Sequence, residues 1–250
     1  VDISESTLSS AQIRSALEES LGMKLTPPEF TADDGYVTMT CRSARTVCVE
    51  TASSSLKKES EEMNGDSAVC FTNREDRFYS LISDGMGSGR EAAMTSRVTC
   101  SFLEKMLSSG NRKSIVLKML NNFIRNKNLE CFATVDLLEI DLLSGEAGFV
   151  KSGAAASYVI RGGKLFKIAS DSLPIGITRE ITAEDIRFTL LPGDLVVMIS
   201  DGVSQSFEDG VWLAGMLSEL DGNSPLDAVT AKILDAAKTN NRRSDDMTVT

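Results

Sequence analysis

Two apolar runs, one ending at Ser83 and the other at Ser200, stop at the same tetrapeptide, I-S-D-G, far apart in the chain. Each leaves a carboxylate, Asp84 or Asp201, where a strand meets a turn, with a glycine behind it that lets other groups approach the backbone. Neighbouring strands would make the two carboxylates converge. Converging carboxylates repel, and a partly buried cleft makes each costly to keep ionised unless cations neutralise it. Asp66 in N-G-D-S and the Asp245–Asp246 pair in S-D-D-M-T-V-T stand in the same kind of setting, at strand–turn junctions rather than on polar helix faces. Taken singly, an aspartate before a glycine is an ordinary turn residue. Four such positions, two of them in matched contexts, point to one site.

The chain contains no histidine, which removes the commonest general base and the commonest transition-metal ligand together. A Ser-His-Asp or Cys-His hydrolase is excluded, and so is a typical zinc enzyme. Chemistry at neutral pH then falls to carboxylates, lysine or tyrosine, or to hard cations held by oxygen, for which Mg²⁺ and Mn²⁺ are the natural choices. A formal charge of −10 and a pI near 4.7 oppose a nucleic-acid surface, because no basic run offsets the repulsion of a phosphate backbone. The five cysteines, Cys41, Cys48, Cys70, Cys100 and Cys131, are scattered without a CxxC pair and read as reduced thiols. No run reaches the length of a membrane span, and no signal peptide precedes the first helix, so the chain reads as a fragment without membrane contact of its own.

With 42% hydrophobic residues over 250 positions, the chain can bury a sizeable core. Capping residues followed by Ala11, Ile13, Leu17 and Leu21 predict an amphipathic helix that closes at Gly22, with a linker through Pro27-Pro28. Residues 1–29 form this helix and linker, and 30–250 the main domain. Alternation from Gly35 to Thr51 predicts a hairpin or one long bent strand with one buried face, and the polar stretch from Ala52 to Gly65 a solvated connection. Strands at 67–72 and 77–83, helices at 90–107 and 114–124, a meander of six strands between 131 and 199, helices near 209–220 and 225–239 and a closing strand at 247–250 follow. This order suggests an α+β fold, antiparallel sheets covered by helices, rather than βαβ units.

Gly87-Ser88-Gly89-Arg90-Glu91-Ala92 also fits G-x-G-x-x-A, a dinucleotide fingerprint. Asp84 would then stand beside the pyrophosphate, and the helix leads into another helix instead of a second parallel strand. A P-loop lacks its G-K-[ST], and a spaced D-x-D-x-D-G calcium loop is missing as well.

The series N-G-D-S, I-S-D-G-M-G-S-G, K-S-G-A-A-A-S-Y-V-I-R-G-G-K, S-L-P-I-G-I, L-L-P-G-D-L-V-V-M-I-S-D-G and D-D-M-T-V resembles the bacterial branch of the metal-dependent protein phosphatases of type 2C, most closely their sporulation members, from about Phe30 to Thr250. The resemblance implies a four-layer α-β-β-α sandwich with two Mn²⁺ or Mg²⁺ ions at one end. Asp84 would bridge the ions, with the Gly85 carbonyl on one of them. Asp201 and Asp245 would complete the other ion's shell, Asp245 being preferred to Asp246, and Asp66 would act on the second ion directly or through water. A hydroxide bridging the metals would attack phosphorus, with Asp84 and Asp66 the catalytic carboxylates.

The same resemblance implies a phosphoserine or phosphothreonine substrate on an anti-sigma-factor antagonist, and a switch worked by helices, so that Ser9 to Met23 would be a regulatory or homodimerising helix. It further implies the cytoplasmic module of a larger, membrane-anchored protein. A second reading keeps the fold as a catalytically silent docking module. Three features depart from the family pattern: no histidine serves as general acid, Gly153 to Ser157 lacks the usual proline, and the segment after Asp201 is short. Arg42, Arg45 and Arg90 are the candidates for a phosphate-holding arginine.

Overall fold

The computed structural model describes residues 9–87, 89–126, 132–181, 183–206, 211–219, 225–241 and 245–250. They group into two compact units, Val1–Cys48 with Leu142–Gly145, and Val49–Asp141 with Glu146–Thr250.

In the first unit, helix α1 (Ser10–Leu21) opens on a capping box: the Ser9 hydroxyl accepts the Gln12 N–H, and the Gln12 side chain accepts the Ser9 N–H at 2.8 Å. It ends at Gly22 in the left-handed conformation. Strands β1 (Glu29–Asp33) and β2 (Tyr36–Thr40) pair around Asp34-Gly35, whose φ values of 44° and 82° make the two-residue turn that matches strand twist. The hairpin thus starts earlier than the alternation suggests, and residues 41–51 hold no strand. The expected buried face is also absent: β1 is exposed along its whole length, and Tyr36 and Val37 of β2 are exposed too.

The second unit is built from two antiparallel sheets. Strands β4 (Asp66–Thr72), β5 (Arg77–Asp84), β6 (Val135–Asp141), β7 (Glu146–Ser152) and β10 (Glu184–Thr189) form the first, in the order β10-β7-β6-β5-β4. The second has β8 (Ser157–Arg161), β9 (Lys164–Ile168) and β11 (Leu195–Val197) in the order β11-β8-β9, and β12 (Met247–Val249) paired with β3 (Ser54–Leu56). Backbone bonds from Met198 to Thr250 and from Ser200 to Thr248 stitch β12 to the continuation of β11. Strand β3 lies inside the stretch expected to be a solvated connection. Its Ser54-Ser55-Leu56 acquires strand geometry from β12 rather than from any apolar pattern of its own.

Helices α2 (Gly89–Ser108) and α3 (Lys113–Asn126) cover the first sheet, burying Leu103, Leu107, Val116 and Leu120 against Tyr79, Leu81, Val135, Leu137 and Val150. Helices α4 (Asp201–Ser204), α5 (Val211–Ser218) and α6 (Leu226–Asn241) cover the second, with Leu213, Leu217, Ile233 and Ala237 against Tyr158, Ile160, Val197 and Val249. The alternate set on the first sheet, Phe78, Ile82, Leu138, Ile140 and Phe149, is equally buried and lies on the other face, between the sheets. The result is an α+β sandwich of four layers. Cys41, Cys48, Cys70 and Cys100 are free thiols, and Cys131 lies outside the described residues. Among the described residues no helix is long and apolar enough to cross a membrane.

Candidate active site

The antiparallel registers carry the sequence-marked aspartates to one end of the sandwich. Asp66 opens β4 and Asp84 closes β5, and the two are direct cross-strand partners. The Asp66 N–H turns to Asn64 Oδ1 at 2.9 Å and the Asp84 N–H to Thr134 Oγ1 at 2.9 Å. Theirs is therefore a non-hydrogen-bonded pair, the kind in which facing side chains come closest, with β carbons about 4.5–5.5 Å apart. On the second sheet, Ser200 bonds to Thr248 on β12, which puts Asp201, the first residue of α4, beside Asp245 at the approach to β12.

The charges feel one another. Burial pushes the Asp84 carboxyl up to about 8, helped by the Asp66, Asp201, Asp245 and Asp246 charges. Burial likewise pushes Asp66 up to about 7; the nearby Ser200 and Thr248 hydroxyls lower it and the Asp201 and Asp246 charges add to it. Those hydroxyls face the carboxyl without closing a hydrogen bond, and both Asp66 oxygens are buried with no partner among the described residues. Asp201 is raised by burial first and by Asp245 next. Asp201 also holds Gln205 Nε2 at 3.0 Å.

Asp245 and Asp246 have different tasks. Asp246 accepts the Lys58 N–H on Oδ1 and the Gly65 N–H on Oδ2, both at 2.8 Å, so its carboxylate is committed to backbone. Asp245 accepts the Asp246 N–H on Oδ1 at 2.9 Å and is half-buried.

The glycines of the site serve packing more than access. A β carbon on Gly85 would fall 2.0 Å from the Ala92 carbonyl oxygen of α2, and one on Gly202 would fall 2.0 Å from the Asp246 carbonyl oxygen and 3.2 Å from the Asp245 β carbon. Gly87 and Gly89, with φ of 111° and 69°, make the turn into α2. Ser88, between them, lies outside the described residues. The G-x-G-x-x-A reading fails structurally: β5 is followed by α2 and α3 and then pairs with an antiparallel β6, so no βαβ unit exists here.

The donor set is all oxygen and strongly anionic, and two of its oxygens are orphaned, which fits hard divalent cations. Asp66, Asp84, Asp201, Asp245 and the Gly85 carbonyl are the groups available to hold them. No three carboxylates or thiols close into a ready cage among the described residues. Of the candidate arginines, Arg42 stands 3.8 Å from Glu29 in the first unit, while Arg90 is exposed on α2, where it lines a groove of about 510 Å³ with Met94, Arg97 and Lys105. Missed from the sequence were Thr134 and Asn64, which orient Asp84 and Asp66 through their backbone amides. Asn64 sits in the N-G-D-S motif itself.

This α+β sandwich is shared with solved PP2C phosphatase domains. The solved PP2C domain of the cell fate determinant SpoIIE from Bacillus subtilis, with a fragment of its regulatory domain, superposes with a TM-score of 0.82 at 26% identity, covering 97% of this chain and 75% of that one. A serine/threonine phosphatase from S. agalactiae superposes with a TM-score of 0.66 at 18% identity, covering 79% and 97%, and shows the same fold. The family model for stage II sporulation protein E matches residues 74–250, and the chain belongs to that family. It is 30% identical over 222 residues to stage II sporulation protein E of Bacillus subtilis (strain 168), covering 86% of this chain and 27% of that protein. The corresponding protein of Priestia megaterium is 30% identical over 223 residues, covering 86% and 38%. The chain thus spans well under half the length of these curated relatives.

Proposed function

We propose that this chain is a metal-dependent protein serine/threonine phosphatase that hydrolyses a phosphoserine or phosphothreonine on an anti-sigma-factor antagonist. One observation carries the reading: Asp66, with two orphaned buried oxygens, stands across from Asp84 and within the electrostatic reach of Asp201. Buried like charges without a protein counter-charge either take up protons or stay ionised around an external cation, and a cluster held ionised at neutral pH calls for the cation.

Asp84 and the Gly85 carbonyl would hold one side of a two-ion Mn²⁺ or Mg²⁺ centre, Asp201 and Asp245 the other, with Asp66 acting directly or through water. When bound, such ions supply a water ionised near neutral pH and neutralise the phosphate's charge. The chain's own part is positional. The Thr134 hydroxyl fixes the backbone of Asp84, α2 holds Gly85 in place, and Asp246 ties the loop before Asp66 to the approach of β12. With no histidine in the chain, the leaving serine oxygen takes its proton from water. In the whole protein this module would be cytoplasmic and attached to a membrane anchor, with α1 in a regulatory or dimerising role.

A silent docking module is the second reading, favoured by the lack of a closed cage of three ligands among the described residues. Metal titration separates the two. EDTA-stripped protein is supplied with Mn²⁺ or Mg²⁺ and assayed on a phosphoserine protein and on p-nitrophenyl phosphate. Metal-dependent turnover that vanishes in folded Asp84→Ala and Asp201→Ala is expected. Turnover undiminished in either variant overturns the assignment, and no turnover at any metal concentration favours docking.

A further inference from the structure

Lys151 is completely buried, and so is Asp136 beside it. Its ammonium donates three hydrogen bonds: to Asp136 Oδ2 at 2.8 Å, to the Ala155 carbonyl at 2.7 Å and to Ser157 Oγ at 2.9 Å. The Ser157 hydroxyl in turn donates to Asp136 Oδ2 at 2.5 Å, and the Phe149 ring lies 5.4 Å from the ammonium. A buried ion pair is a poor device for stability, since apolar side chains of similar volume often do as well or better. Its geometry shows what it holds, because two of the three acceptors belong to the segment Gly153–Ser157.

That segment lies at the aspartate end of the sandwich. It leaves the end of β7 and enters the start of β8, both at the end where β5 closes on Asp84. Asp136 faces Ile82 on β5 and Lys151 on β7, so the pair shares the face of Asp84 and lies one pleat row further in. The segment is also held at its two ends: Gly153 N–H bonds to the Ser172 carbonyl and a β carbon on Gly153 would meet the Pro174 ring, while Ala156 packs on the core of the second sheet and Ser157 pairs with Ile168 of β9.

We propose that Lys151 is a positioning residue, whose buried ammonium, anchored on Asp136, fixes the Gly153–Ser157 loop at the rim of the aspartate site, where a protein substrate is received. Its consequence for turnover rests on the phosphatase reading, whereas its consequence for the loop does not.

The paired variant Asp136→Asn/Lys151→Met removes both charges together, so the fold is not left with an uncompensated ion. Two readouts are taken. By hydrogen exchange, the amides of Gly153, bonded to the Ser172 carbonyl, and of Ser157, in the β8–β9 ladder, are expected to exchange about tenfold faster or more, while those of Phe149 and Val150 in β7 hold their protection. In metal-loaded protein, KM for the phosphoserine protein is expected to rise about tenfold, with kcat on p-nitrophenyl phosphate within about threefold of the parent. Unchanged exchange in the loop overturns the proposal whether or not the parent turns over. Faster exchange with unchanged KM overturns its catalytic half. Should the paired variant fail to fold, Ser157→Ala, which deletes one loop acceptor and leaves the ion pair, carries the same two readouts, and the same outcomes support or overturn the proposal. A parent with no metal-dependent turnover removes the phosphatase reading and leaves the exchange experiment to decide the loop.

Discussion

The Asp246 carboxylate receives the Gly65 N–H at 2.8 Å, joining the start of β12 on one sheet to the residue before Asp66 on the other. Its second oxygen takes the Lys58 N–H, so this aspartate clamps backbone, and its neighbour Asp245 is the one placed beside Asp201. Replacing Asp246 with alanine leaves two amides without their acceptor and is expected to cost about 2–3 kcal/mol, or about 5–10 °C of melting temperature. Asp245→Ala, by contrast, is expected to melt within about 2 °C of the parent and to lose metal-dependent turnover. Thermal melts and a metal titration on both variants check the division of labour. Equal loss of stability in the two would show that it is wrong.

Gly202 makes a sharper test of packing at the site. The Asp246 carbonyl leaves no room for a β carbon there, so Gly202→Ala must push α4 away from β12 and separate Asp201 from Asp245. A cost of about 2 kcal/mol or more is expected, with weaker metal activation. The control is Gly215 in α5, where a β carbon meets nothing within 4 Å. Gly215→Ala is expected to raise stability by about 0.5–1 kcal/mol through helix propensity alone. Denaturant unfolding of the two variants reads both signs.

The site is legible in the sequence because its aspartates carry local context: an apolar run followed by a turn marks a strand end whatever the strand pairs with. Asp84 and Asp201 stand out through matched I-S-D-G contexts for that reason. Two elements are hidden by different physics. Strand β3 is serine-rich and becomes a strand only because β12 offers it a ladder, a long-range fact with no local pattern. The β1–β2 hairpin is masked by the alternation after Gly35, which points to a later strand pair even though Asp34-Gly35 is a strong turn signal. Asp136 and Lys151 are unreadable in principle, since a charged residue in an apolar strand looks the same whether it points to water or to a partner across the sheet. The role of the glycines is also beyond the sequence. Gly85 and Gly202 look like access for an ion, and the structure shows them as contact points for α2 and for the Asp245–Asp246 backbone.

Without metal, the paired carboxylates make the fold sensitive to pH in a direction that can be worked out. Asp66 and Asp84 ionise in the unfolded chain near their ordinary value of 3.8, but in the fold only near about 7 and about 8. The folded state therefore binds protons more tightly, and its stability from these groups is fully present below about pH 4 and drains away as pH rises to about 8. Other carboxylates add their own acid-side losses, so the comparison belongs between pH 5.5 and 8.5. Across that window the melting temperature of EDTA-stripped protein is expected to fall by about 5 °C or more. Asp84→Asn removes one of the facing charges, so it is expected to flatten the fall and, at pH 8.5, to melt above the parent while showing no metal-dependent turnover. Mn²⁺ should restore the parent at high pH and do little for the variant. A parent whose stability rises across this window would mean that burial and the neighbouring charges do not hold Asp66 and Asp84 protonated in the metal-free fold, and the case for a cation among these carboxylates would go with it.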